Sequence, residues 1–140
     1  MNRLLVYALG IWICLSFCGV FNGIAREAFI TPNVGDYAAH VISTATLICA
    51  LLIVTYLFLK YVNIPYENKD LIAIGIIWII MTISFEFLFG HFVVGHTWEK
   101  LFADYNILNG RVWSLVLVTT LFGPLAIGSR MLQKHKAGAQ

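Results

Sequence analysis

Four long apolar runs, 4–25, 41–59, 71–94 and 107–127, alternate along the chain with short polar connections. A hydrocarbon core of about 30 Å needs about 20 helical residues to cross, so each run is long enough, the second with little to spare. The pattern predicts an all-α integral membrane protein, a four-helix transmembrane bundle forming one domain over 1–140. A closed β-barrel also satisfies its backbone in lipid, but it would show short alternating apolar and polar segments. This sequence has none.

The connections differ in character. The segment 95–106, GHTWEKLFADYN, places Trp98, Leu101, Phe102 and Tyr105 at spacings of three and four, with His96, Glu99, Lys100 and Asp104 between them. This spacing predicts a short amphipathic helix lying in the interface between the third and fourth spans, anchored by Trp98 and Tyr105 at headgroup level. In the first connection, 26–39, Pro32 and Gly35 are expected to break any helix, and Asp36 to cap the second span. The second connection, 60–70, reads as a plain turn around Pro65. Gly19 and Gly23 form a G-x-x-x-G pair suited to a tight helix crossing within the bundle. Pro124 is expected to kink or end the fourth span.

Composition agrees: 60% of residues are hydrophobic and 11% charged, and mean hydropathy is +0.84. The first span is too long for the apolar core of a secretory signal and is read as retained. Leu15-Ser16-Phe17-Cys18 only loosely resembles a lipoprotein cleavage box, because Phe17 is bulky. Cys14, Cys18 and Cys49 all fall within spans, show no metal-ligand spacing, and read as small buried packing residues.

Charge gives an orientation. Arg3, Lys60, Lys69, Arg130, Lys134 and Lys136 flank one side of the spans, and only Arg26, Lys100 and Arg111 the other. The positive-inside rule therefore predicts both termini in the cytoplasm, with a basic tail over 128–140 near anionic lipid. So small a basic patch, at net charge +2, argues against nucleic acid as a partner. The partner implied is the bilayer itself, with a homo-oligomer or a larger membrane complex as the expected setting.

Candidate chemistry gathers on the outer side, where five of the seven acidic residues and three of the four histidines fall. Glu86 stands out because it sits about two turns inside the third run, where an ionised side chain is costly and marks a functional site by default. Arg26, next to Glu27, and Arg111 approach its depth from neighbouring spans. Glu86, Arg26, Glu27, Asp104 and Arg111 are thus expected to form an intramembrane polar network. Its two readings are a structural ion pair and a transport or ligand site. His40, His91 and His96, with Glu99 one turn after His96, are the candidate ligands for a metal or a haem. No H-E-x-x-H motif, phosphate loop or nucleophile elbow accompanies them. The sequence thus gives no catalytic set and argues against an enzyme more than for one.

The stretch 85–118, FEFLFGHFVVGHTWEKLFADYNILNGRVWSLVLV, with 22–32, NGIAREAFITP, resembles a group of small four-span bacterial membrane proteins to which no activity is attached. The resemblance covers most of the chain. It implies a bacterial inner-membrane setting and carries over no site residues. Small multidrug-resistance transporters share the length and span number, but their functional glutamate lies in the first span, where this chain has none. The expectation is a small transporter or channel component built around Glu86. The alternatives are a metal- or haem-binding redox protein and a non-catalytic accessory subunit.

Overall fold

The computed structural model describes residues 3–106 and 112–137, except the side chains of Asp104, His135 and Lys136. Its elements are α1 (Arg3–Ala25), a π-helical segment (Arg26–Ile30), α2 (Thr31–Val34), α3 (Asp36–Tyr61), α4 (Asn68–Phe92), α5 (Trp98–Asp104) and α6 (Ser114–Ala137). Four helical stretches, Arg3–Val34, Asp36–Tyr61, Asn68–Phe92 and Ser114–Lys134, are long and apolar enough to cross a membrane. The protein is a multi-pass membrane protein, a bundle of four such helices with the short α5 between the last two.

Packing sets the order of the helices around the bundle. α6 lies against both α3 and α4, while α1 lies against α3 and, more sparingly, α4. Two tryptophans fix the α1–α4 register: Trp78 Nε1 donates to the Ala8 carbonyl at 2.9 Å and Trp12 Nε1 to Thr82 Oγ1 at 3.0 Å. Both pairs are seventy residues apart, so α1 and α4 run parallel. Trp78, Leu4, Leu71 and Ile74 are fully buried at the centre of this core. The closest backbone approach is at Gly75, where an added Cβ would overlap the Leu121 carbonyl oxygen of α6. A Cβ on Gly128 would overlap the Leu71 side-chain methyls, so α4 and α6 run antiparallel with glycines at their contact. Small residues of this kind let helix backbones approach where lipid supplies no hydrophobic drive.

Several sequence expectations change. Pro32 does not break the first helix. The chain widens into a π turn, with the Thr31 N–H bonded to the Arg26 carbonyl, and Pro32 falls in the first turn of α2, where a missing N–H costs nothing. The break comes at Gly35, whose φ of +83° suits glycine. Asp36 follows in the first turn of α3, and Gly35 holds the cap position without a side-chain hydrogen bond. Pro124 is buried inside α6, which runs on to Ala137 through most of the stretch expected to be tail.

The 62–67 connection is more than a turn, since Val62, Ile64 and Tyr66 pack on the core and burial pushes the Tyr66 phenol up. α4 then starts with a capping box in which the Glu67 N–H donates to Asp70 Oδ2 at 2.8 Å. Cys14, Cys18 and Cys49 are exposed on the outer faces of their helices. Gly19 and Gly23 make no close crossing among the described residues: apart from their own helix backbone, nothing described lies within 4 Å of a Cβ built on either.

Candidate functional site

The space beside Gly19 and Gly23 belongs to a cavity of about 1010 Å³, lined by all four long helices at the end away from the termini. It runs from Arg26, Glu27 and Asp36 at its rim to Leu51 and Thr120 at its floor. Fifteen residues separate Asp36 from Leu51, about 22 Å of helix at 1.5 Å per residue. The cavity therefore reaches the middle of the spans. Its walls are largely apolar and aromatic, with Trp12, Phe85, Phe89 and Trp113 among them. A few polar groups stand on such a wall, which is the usual make-up of a small-molecule pocket.

Glu86 is one of them, half-buried on α4. Its Oε2 accepts from the Tyr105 hydroxyl and, at 3.0 Å, from Trp113 Nε1. Two donors converge on one oxygen, which accepts both through its two lone pairs. Tyr105 follows α5 directly and also packs on Phe87, centroid to centroid 5.5 Å. Glu86 thus ties α4 to the end of α5 and to the approach to α6.

Arg26 also lines the cavity, on the π turn. Its Nη2 and Nε donate to Glu27 Oε1 at 2.8 and 3.2 Å, and its Nη1 lies 3.0 Å from His40 Nδ1. A guanidinium only donates, so His40 accepts at Nδ1 and carries its proton on Nε2. His40 is 6% exposed on α3. Among the described residues, Arg26 bonds Glu27 and His40 while Glu86 accepts from Tyr105 and Trp113, and both groups line the one cavity. Arg111 lies outside the described residues, and Asp104 ends α5 with its side chain outside the description.

The histidines are spread across different partners. His91 Nδ1 lies 2.9 Å from the His96 carbonyl, which accepts, and the His91 ring stacks on Trp98 at 3.9 Å. His96 Nε2 lies 3.3 Å from Lys100 Nζ. Glu99 is exposed on α5. Among the described residues, no group of three or more His, Cys, Asp or Glu side chains is gathered to hold a metal ion.

α5 forms a cover over this end of α4. Thr97 caps it by accepting from the Lys100 N–H at 3.3 Å, Leu101 fills the notch left by Gly90, and Phe102 packs on Phe87 at 5.1 Å. Trp98 is 44% exposed, with its ring against His91 and Phe87. The sequence singled out Tyr105 as an interfacial anchor and passed over Trp113. The signal available was general: a tryptophan or tyrosine inside an apolar run needs a partner for its polar tip.

No family model matches the chain, and no curated protein or solved structure matches it either.

Proposed function

We propose that the protein is a small transport component of the bacterial inner membrane, with the cavity among its four spans as the substrate chamber and Glu86 as its polar anchor. The observation that carries the reading is the cavity itself: about 1010 Å³, reaching mid-span, with a carboxylate held on its wall by two oriented donors. A carboxyl kept only as a structural ion pair needs no such space beside it. Charge counting predicts both termini in the cytoplasm, which supports a chamber opening toward the outer side. α5 then acts as its cover, latched to Glu86 through Tyr105. A substrate that takes the Glu86 carboxylate competes with that latch, which couples binding to movement of the cover.

The test is flux in proteoliposomes, followed with a pH-sensitive dye and a panel of inorganic and organic cations. The expected result is flux above empty vesicles that falls at least about tenfold in Glu86→Gln, which keeps an acceptor oxygen for Tyr105 and Trp113 but loses the charge. Flux unchanged by Glu86→Gln, or none for any cation, overturns the reading.

A further inference from the structure

A chamber entered from one end carries a substrate across only if its other end opens as well, and the floor holds the parts for that. The floor lies at Leu51 on α3 and Thr120 on α6. Leu51 is buried, and its Cδ2 lies 3.7 Å from the position a Cβ would take on Gly123. A leucine side chain seated on a glycine thus separates the chamber from the half of the bundle nearer the termini. The neighbouring seams are built differently. α4 meets α6 backbone to backbone at Gly75 and Leu121, and α1 is tied to α4 by the Trp78 and Trp12 hydrogen bonds. At the floor α3 meets α6 through the Leu51 and Leu52 side chains on Gly123. Side chains can turn aside where backbones cannot.

α6 is weakened at the same level. Pro124 follows Gly123 and has no N–H to give to the Thr120 carbonyl, so the helix lacks one rung beside the floor. Thr120 Oγ1 donates to the Val116 carbonyl at 2.8 Å, a back-bond of the kind that bends helices. Glycine followed by proline inside a membrane helix makes a point of flexure. One turn beyond Leu51, on nearly the same face of α3, stands Thr55. It is fully buried, and its hydroxyl has no hydrogen-bond partner among the described residues. A buried hydroxyl in that state is costly, and water or a polar substrate admitted by an opening of the floor satisfies it.

We infer that the α3–α6 seam is the chamber's second gate, with Leu51 as its plug, Gly123 and Pro124 as the hinge on which α6 swings clear, and Thr55 as a polar group just beyond it. The inference deepens the transport reading and rests on it for what passes through. Thiol accessibility tests the gate without a substrate. In a variant whose Cys14, Cys18 and Cys49 are replaced by serine, Thr55→Cys and Ile74→Cys each place a thiol at a fully buried position, the first beside the gate and the second in the α4 core. In nanodiscs both faces of the protein meet water. A membrane-impermeant thiosulfonate is expected to modify Thr55→Cys at least about tenfold faster than Ile74→Cys.

Adding Leu51→Ala, which removes most of the plug, is expected to raise the Thr55→Cys rate about tenfold and leave the Ile74→Cys rate unchanged. Adding Pro124→Ala, which restores the missing rung with a helix-favouring residue, is expected to lower the Thr55→Cys rate about fivefold. Equal rates at the two thiols, or a Thr55→Cys rate that neither added substitution changes, overturns the inference. The expected labelling pattern without any flux keeps the gate and removes the transport role. Flux with Thr55→Cys as slow as Ile74→Cys removes the gate and keeps the transport role.

Discussion

Tyr105→Phe removes one hydroxyl and little else, which makes it the sharpest probe of the cover. The ring stays in its place against Phe87, at 5.5 Å, beside Phe102 and Trp98. What is lost is the hydrogen bond from the Tyr105 hydroxyl to Glu86. Bonds to a charged acceptor contribute about 1.5–3 kcal/mol net, so the opening equilibrium of α5 should rise about 10- to 150-fold. Trp113 still donates to Glu86 at 3.0 Å, so the carboxylate keeps a partner and the bundle should hold. The assay is amide hydrogen exchange in nanodiscs. It reads the Leu101 and Asn106 amides, which bond to the Thr97 and Ala103 carbonyls when α5 is formed. Faster exchange over 97–106, with α3 and α4 unchanged, is the expected result. Exchange within a factor of about two of wild type would refute the latch, because an opening cost of even 1.4 kcal/mol is tenfold.

Glycines with the same name have opposite tolerances. Gly75→Ala drives a Cβ into the Leu121 carbonyl oxygen, a backbone atom that moves only with α6. It should destabilise the bundle by about 1–3 kcal/mol in thermal unfolding in detergent. Gly19→Ala meets nothing within 4 Å and should be neutral or stabilising by up to about 1 kcal/mol. Equal effects at the two positions would contradict the α4–α6 contact. Trp78→Phe removes the donor to the Ala8 carbonyl at a fully buried position. The lost bond and the small void together should lower stability by about 1–3 kcal/mol. A Tm unchanged from wild type would show that the α1–α4 tie carries no stability.

The four spans and α5 were legible because lipid imposes a length and an apolar content that any reader of the chain can measure. The partners of Glu86 were not. Tyr105 looks like an interfacial anchor in sequence, since an aromatic ring with one polar tip suits the headgroup region as well as a buried carboxyl, and Trp113 is one more aromatic in an apolar run. Arg26 lies at a depth that suggests a pairing with Glu86, yet it bonds Glu27 next to it and His40 on α3. The G-x-x-x-G spacing of Gly19 and Gly23 marks a helix able to make a close crossing. It does not say whether a neighbour is there, and the close crossing formed instead at Gly75, a glycine without a G-x-x-x-G partner in its run. The cavity left no sequence signature, since its lining is drawn from all four spans at positions that share no motif.

The central claim is that a chamber open from one end lies among the four spans. Substituted-cysteine labelling addresses it most directly, starting from a variant whose exposed Cys14, Cys18 and Cys49 are replaced by serine. Ser16→Cys and Asn22→Cys face the cavity, and Phe17→Cys lies on the outward surface of the same helix. With a membrane-impermeant thiosulfonate added to whole cells, Ser16→Cys and Asn22→Cys should be modified and Phe17→Cys protected by lipid. Protection of both cavity positions, or equal modification at all three, would contradict the chamber.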